Sequence, residues 1–128
     1  MAKAKSDFRF ITTRMHGIMD LGMVAILLAA PFALGFATGG AKQWLPIGLA
    51  VVLFASSMLT RYELGMVGLI PMPMHLMLDV GAGLLLAASP WLFGFSGTVY
   101  WPHVILGLIE VGTAAMTQMR PARGPMFA

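Results

Sequence analysis

The sequence predicts an all-α, multi-pass membrane protein with four transmembrane helices. Hydrophobic residues make up 59% of the 128 residues, charged residues make up 10%, and the mean hydropathy is +0.84. Such a composition has too few polar side chains to cover a water-soluble domain. Four apolar stretches are long enough to cross about 30 Å of hydrocarbon as helices, and they cover residues 15–36, 44–60, 74–95 and 101–119.

The first predicted helix, 15–36, follows a basic leader and in that respect is similar to a signal peptide. It contains His16 and Asp20, however, and a near copy of it occurs in mid-chain, so we expect a retained helix. The predicted organisation is a basic segment 1–13, a two-helix unit 14–61, a loop 62–73, a second two-helix unit 74–119 and a tail 120–128.

The positive charges predict the orientation in the membrane. Seven of the eight lysines and arginines precede the first helix, follow the second or follow the fourth, and only Lys42 lies in a loop of the opposite parity. Basic residues accumulate on the cytoplasmic side, so we expect both termini there and the loops near 37–43 and 96–101 outside. Membrane lipids are the expected partners of the basic leader. Nucleic acid is not an expected partner, because the chain has no basic patch with interleaved aromatic residues.

An internal repeat accounts for the first and third predicted helices. A shift of 59 residues aligns residues 15–36 with 74–95, and nine of the 22 positions are identical. This indicates a duplicated two-helix unit, and the register continues weakly from Gly48 to Gly107. Two units with an even number of helices enter the membrane in the same direction, so we expect a pseudo-two-fold axis along the membrane normal and a four-helix bundle.

The motif Ser89-Pro90-Trp91, in the first helix of a repeated two-helix unit, resembles the SPW-repeat family of small bacterial and archaeal membrane proteins. The resemblance extends from about residue 14 to 119, and the first copy has Ala30, Pro31 and Phe32 in place of the motif. It implies the membrane architecture and a location in a bacterial or archaeal cell membrane. It does not indicate a particular biochemical activity. We expect Pro90 to bend or end its helix and to free the carbonyl of Leu86, whose partner would be Ser89 or a group on a neighbouring helix. The motif and its partial first copy predict bends and aromatic anchors at the outer interface, formed by Pro31, Phe32, Ser89, Pro90 and Trp91.

The polar side chains within the predicted helices are the candidate site. His16 and Asp20 lie one helical turn apart, as do His75 and Asp79, and membrane burial requires all four to face protein. One interpretation is that they hydrogen-bond the helices to each other. A second is a proton or cation site, in which two close carboxylates cannot both ionise easily. A third has His16 and His75 ligating a metal or a haem, with the carboxylates orienting the rings.

Glu110 is the fifth member of the candidate site, and the 59-residue register aligns it with Val51. It needs a buried partner such as Ser56, Ser57, Thr113 or a polar group on another subunit, and His103 lies two turns away on the same face. Structural pairing is the first interpretation, and contact with a different protein or with a translocated ion is the alternative. Methionines and His75 in residues 71–77 also allow a copper interpretation, but apolar packing explains twelve scattered methionines better. Gly83 and Ala87 form a small-residue pair that allows close helix contact, as do Ala25 and Ala29.

The sequence lacks the residue combinations of an enzyme, such as a nucleophile with its base or a phosphate-binding loop. We therefore expect no catalytic activity, no obligatory cofactor and a structural or accessory role beside larger integral membrane proteins. The alternative function is a proton- or cation-handling, haem-binding or metal-binding module built on the repeated His–Asp pairs.

Overall fold

The protein is a bundle of four α-helices in the part of the chain that the structure describes. The structure, a computed structural model, describes residues 8–127, so Lys3 and Lys5 of the predicted basic leader lie outside it. The helices are α1 (Thr13–Ala33), α2 (Ala41–Leu59), α3 (Met72–Leu92) and α4 (Trp101–Ala115). Between residues 8 and 127 there is no β-strand, and two isolated bridges join Ile11 to Thr117 and Thr60 to Ile70.

Three of the helices are long and apolar enough to cross a membrane. α1, α2 and α3 contain 21, 19 and 21 residues, with mean hydropathies of 1.6, 1.4 and 1.4 in their most apolar windows. α4 contains 15 residues, because the backbone beyond it pairs with the segment before α1. The amide of Ile11 donates to the carbonyl of Met116 at 3.0 Å, and the amide of Gln118 donates to the carbonyl of Ile11 at 2.9 Å. The predicted end of this helix at residue 119 was therefore wrong.

α1 and α3 end in the same way: the last helical residue lies two residues after a proline, and a glycine lies four residues after that proline. In α1 the amide of Phe36 donates to the carbonyl of Pro31 at 2.8 Å, and in α3 the amide of Phe95 donates to that of Pro90 at 2.8 Å. Between donor and acceptor the chain turns at Gly35, with φ +80°, and at Gly94, with φ +74°. This is a glycine-based helix cap, and it requires the left-handed backbone that glycine adopts without strain.

The helices surround a core in the cyclic order α1, α2, α3, α4. The packing is most extensive between α3 and α4 and between α1 and α2, whereas α1 and α4 have only a slight contact. α3 and α4 approach closely at two glycines, since a Cβ on Gly83 would lie 2.6 Å from the carbonyl oxygen of Gly107. The predicted close contact at Gly83 and Ala87 is confirmed, whereas Ala25 and Ala29 are exposed.

Burial corrects the register predicted for α2 and α4. A shift of 59 residues pairs exposed Gly48 with buried Gly107, and exposed Val51 with buried Glu110. A shift of 57 residues instead pairs buried positions with one another from residue 46 onwards: Pro46 with His103, Ala50 with Gly107, Leu53 with Glu110, Ser56 with Thr113, Ser57 with Ala114, and Thr60 with Thr117. Glu110 therefore takes the place that Leu53 has in the first half.

Candidate functional site

His16, Asp20, His75 and Asp79 meet in the interior of the bundle. Each is at most 1% exposed, as expected for polar groups within membrane helices. The Nε2 atom of His16 lies 2.8 Å from Oδ2 of Asp79 and 3.2 Å from Oδ2 of Asp20. The Nε2 atom of His75 lies 2.9 Å from Oδ2 of Asp20 and 3.2 Å from Oδ2 of Asp79. These four contacts form a closed cycle in which histidine nitrogen and aspartate oxygen atoms alternate. We call this group of four side chains the His–Asp ring.

Threonines at the ends of α2 and α4 orient the two imidazoles. Nδ1 of His75 lies 2.8 Å from Oγ1 of Thr60, and Nδ1 of His16 lies 2.8 Å from Oγ1 of Thr117. Each threonine hydroxyl also donates to the carbonyl four residues before it, that of Ser56 or Thr113. A hydroxyl has one hydrogen, so each threonine must accept from its histidine, and both Nδ1 atoms carry a hydrogen. Both Nε2 atoms face carboxylate oxygens, and they donate to them when no ion is bound.

The loop between α2 and α3 closes the His–Asp ring at the end of the bundle where α1 begins and α4 ends. The ring of Tyr62, itself fully buried, lies 5.7 Å from that of His75. It occupies the space next to Gly17, where an added Cβ would lie 2.8 Å from the phenol oxygen. Burial raises the pKa of Tyr62 to about 12, so this cover is a neutral phenol. The sequence pattern did not single out Tyr62, because it lies in a loop.

Glu110 is buried without the partners that the sequence suggested. It is 4% exposed, and its Oε2 atom has no hydrogen-bond partner within residues 8–127. Ser56 donates to the carbonyl of Leu53, and Ser57 donates to Asp20 at 3.4 Å. Glu110 lines an open groove of about 230 Å³ between α1 and α4, which we call the α1–α4 groove; it is formed by Met19, Asp20, Gly22, Met23, Ile26, Leu106, Ile109, Glu110 and Thr113.

His103 has a structural partner at the opposite end of the bundle. Pro46 lacks an amide hydrogen and so leaves the carbonyl of Lys42 without its helical partner. Nε2 of His103 donates to that carbonyl at 2.8 Å. The His103 ring also lies 5.0 Å from Phe36 and 4.8 Å from Phe95, so it does not reach toward Glu110 as the helical spacing suggested.

The Ser89-Pro90-Trp91 motif lies in the last turn of α3. Oγ of Ser89 donates to the carbonyl of Leu86 at 2.7 Å, which is the group that Pro90 leaves free. Trp91 is 59% exposed, and Phe32 at the matching position of α1 is 64% exposed. Pro31 and Pro90 are buried. The motif therefore combines a satisfied helix end with an exposed aromatic side chain.

These features define a small, multi-pass, helical membrane protein with a buried polar cluster near one end of the bundle. The family model of the SPW repeat domain matches residues 14–117, and the chain belongs to that family. The resemblance inferred from Ser89-Pro90-Trp91 is thereby confirmed. No curated protein and no solved structure gives a significant match.

Proposed function

We propose that this protein is a non-catalytic accessory subunit that binds a transmembrane helix of a larger membrane protein in the α1–α4 groove. Two observations carry the proposal: Glu110 lines the α1–α4 groove, and its buried Oε2 atom has no hydrogen-bond partner within residues 8–127. A buried polar group within a membrane is costly unless it has a hydrogen-bond partner. A serine, threonine or asparagine on a partner helix would supply the missing donor.

The remaining exposed surface of the bundle is apolar, as expected for contact with lipid, and Glu110 differs from it. Large apolar side chains are exposed on every helix, among them Ile26, Val52, Leu84 and Leu108. In contrast, the other buried carboxylates and imidazoles of the four helices each make at least one hydrogen bond inside the protein. Glu110, which is 4% exposed, lines the α1–α4 groove among these apolar side chains.

The proposed membrane arrangement places all four helices across the bilayer, with both termini in the cytoplasm of a bacterium or archaeon. Basic residues Arg9, Arg14 and Arg61 lie at the end where α1 begins. Exposed Trp44, Trp91, Tyr100 and Trp101 lie at the other end, where aromatic residues favour the interface. A pseudo-two-fold axis along the membrane normal is supported by the matched contacts of His16 with His75.

Photocrosslinking in native membranes tests the partner. A photoreactive amino acid at Ile109, which lines the α1–α4 groove and is 48% exposed, should give a discrete adduct with another membrane protein. The matched control is the same substitution at Val51, which is 61% exposed on α2 and should give only diffuse lipid crosslinks. Glu110→Leu should abolish the Ile109 adduct. Equal adducts from both positions, or none from Ile109, would contradict the proposal.

A proton- or cation-handling module is the second candidate, and one observation favours it. Asp20 belongs both to the His–Asp ring and to the α1–α4 groove, so it connects the buried cluster to an opening. Liposomes that contain the protein should then take up protons or cations. The flux should be lower when Asp20 and Asp79 are both replaced by asparagine. Unchanged flux in the folded double variant would contradict this function.

A further inference from the structure

The geometry points to the His–Asp ring as a binding site for a single divalent transition-metal ion, with Zn²⁺ as the type case. We infer that Nε2 of His16 and His75 and Oδ2 of Asp20 and Asp79 are its four ligands. This inference does not depend on the proposed partner in the α1–α4 groove. It adds a ligand to the protein whether or not a second chain binds.

The size of the ring fits one ion. The four ligand atoms lie within 4.8 Å of one another, and neighbouring nitrogen and oxygen atoms are 2.8 to 3.2 Å apart. Zn²⁺ binds imidazole nitrogen and carboxylate oxygen at about 2.0 to 2.2 Å, which gives ligand–ligand separations of about 3.3 Å in a tetrahedron. An ion at the centre requires neighbouring nitrogen and oxygen atoms to separate by about 0.1 to 0.5 Å. It also requires the atoms across the ring from each other, which lie within 4.8 Å, to be about 3.3 Å apart. The two carboxylates already lie beside the imidazole nitrogens, which favours a small ion over a haem between the rings.

The hydrogen bonds outside the ring prepare both imidazoles as ligands. Thr60 and Thr117 hold the hydrogens on the Nδ1 atoms, so the Nε2 atoms are the positions that a metal would use. In metal sites, the second ring nitrogen of a ligating histidine commonly donates to an oxygen in this way. Here a threonine accepts from the second ring nitrogen of each histidine, Thr117 from His16 and Thr60 from His75. Each threonine hydroxyl is held in turn by the carbonyl four residues before it.

Charge also favours a divalent ion. Without an ion, each Nε2 atom must carry a hydrogen to bond the carboxylate oxygens at 2.8 and 2.9 Å, so two imidazolium ions balance the two carboxylates. These side chains are at most 2% exposed, where an unbalanced charge would be very costly. A divalent ion takes the place of the two Nε2 protons and leaves the total charge at zero. In addition, Oδ1 of the fully buried Asp79 has no hydrogen-bond partner within residues 8–127, so this carboxylate has a free oxygen available.

The donor atoms select the class of metal. Two imidazole nitrogens with two carboxylate oxygens suit Zn²⁺ and its first-row neighbours, whereas Cu⁺ favours the sulfur of methionine or cysteine. The chain contains no cysteine. His75 belongs to the methionine-containing run at residues 71–77, but its ring nitrogens contact Thr60 and the two carboxylates. The ring, and not that run, is therefore the metal site.

Zinc binding to the full-length protein in nanodiscs, without a histidine tag, tests the inference. We expect one Zn²⁺ per chain by mass spectrometry and calorimetry, and zinc-edge X-ray absorption with two imidazole nitrogens and two oxygens. Thr60→Val should weaken binding by about 10- to 100-fold, because it removes the acceptor that orients His75. His103→Gln is the matched control: it alters a buried histidine outside the ring and should leave the affinity unchanged.

Asp20→Asn and Asp79→Asn should each lower the zinc affinity by at least tenfold. If these variants fail to fold, the absorption spectrum of the unmodified protein still decides the question. The inference is overturned if the unmodified protein binds no zinc in the ring, if the spectrum shows other ligands, or if folded Asp20→Asn binds zinc as tightly as the unmodified protein. None of these measurements depends on a partner at Glu110, so failure here would not affect the proposed accessory role.

Discussion

Single residues in this bundle satisfy backbone groups that prolines leave free. Pro90 frees the carbonyl of Leu86, and Ser89 binds it; Pro46 frees the carbonyl of Lys42, and His103 binds it. Water is absent from the hydrocarbon region, so each freed carbonyl requires a partner inside the protein. The serine of the SPW motif therefore has a structural role that follows from the proline beside it.

Ser89→Ala should destabilise the protein by about 1 kcal/mol, because the carbonyl of Leu86 loses its hydrogen bond. Thermal unfolding in detergent measures the change. The matched control is Ala30→Ser, which places a hydroxyl at the corresponding position of α1, one residue before Pro31, and should be neutral or stabilising. Equal stability of Ser89→Ala and the unmodified protein would show that this hydrogen bond contributes nothing.

Residue patterns predicted part of the candidate site. The four-residue spacing of His16 with Asp20, and of His75 with Asp79, places each pair on one helix face, and membrane burial requires those faces to point inward. The pattern could not predict that each histidine lies closer to the carboxylate of the opposite pair. That depends on how α1 and α3 face each other, and Thr60, Tyr62 and Thr117 enter the site through tertiary contacts that have no local signal.

At the scale of the helices, α3 and α4 form the tightest pair. Their backbones approach at Gly83 and Gly107, and a Cβ on Gly107 would lie 2.5 Å from the carbonyl oxygen of Gly83. The corresponding positions in the first half are Val24 and Ala50. Small residues allow membrane helices to gain dispersion energy through close backbone contact. The second half consequently combines the closest helix packing with the buried Glu110.

Gly83→Ala should destabilise the bundle by about 1 to 3 kcal/mol, because the new methyl group would lie 2.6 Å from a backbone oxygen and force α3 away from α4. Gly81→Ala on the same helix is the control, since a Cβ there has no neighbour within 4 Å. Chemical unfolding in mixed micelles compares the two. A similar loss of stability in both variants would attribute the effect to the loss of glycine rather than to the helix contact.

Helix boundaries could be predicted where the chain contains its own stop signal. In α1 and α3 a proline is followed four residues later by glycine, so the end of each helix could be located to within a turn. The predicted ends at residues 36 and 95 lie three residues beyond the last helical residues, Ala33 and Leu92, because they include the glycine caps. The end of α4 has no such signal. It is determined by the bridge between Ile11 and Thr117, a contact between residues more than 100 positions apart. The 57-residue register of α2 and α4 also depends on packing, because apolar residues occur on both faces of these helices.

At the scale of the whole molecule, the loop 60–71 and the segment after α4 form a joined layer at one end of the bundle. Glu63 accepts hydrogen bonds from the Thr13 hydroxyl and from the amides of Ala122 and Arg123. The amide of Met126 donates to the carbonyl of Gly65 at 2.8 Å. One carboxylate thus connects the start of α1, the central loop and the tail.

The contact between Glu63 and the tail should weaken at low pH. Partial burial acts to raise the pKa of Glu63, but hydrogen bonds from Thr13 and from the tail amides outweigh it and hold the pKa below the ordinary value of 4.5. A lowered folded pKa means that the stabilisation is complete above the ordinary value and is lost as the pH falls through the folded value. Hydrogen exchange at Ala122 and Arg123, corrected for intrinsic rates, should show this loss. Glu63→Gln should remove the pH dependence, and a dependence that persists in this variant would assign it to another group.

The proposed topology predicts opposite accessibility for the two ends of the bundle. The sequence contains no cysteine, so single cysteines report without interference. In intact cells, an impermeant maleimide should label Gly97→Cys and should label Gly124→Cys only after the membrane is opened; both positions are exposed. This result requires α4 to cross the bilayer although it has 15 helical residues. Labelling of both positions in intact cells would contradict the crossing.

The reciprocal contacts of the two histidines have a consequence for how the chain can be divided. His16 takes its threonine and its nearest carboxylate from the second half, and His75 takes both from the first half. Neither half alone can therefore satisfy its own imidazole. Fragments 1–61 and 62–128 should each be degraded when expressed singly, and should accumulate as a stable complex when expressed together. The protein then behaves as a covalently linked dimer of hairpins, in which each hairpin completes the other.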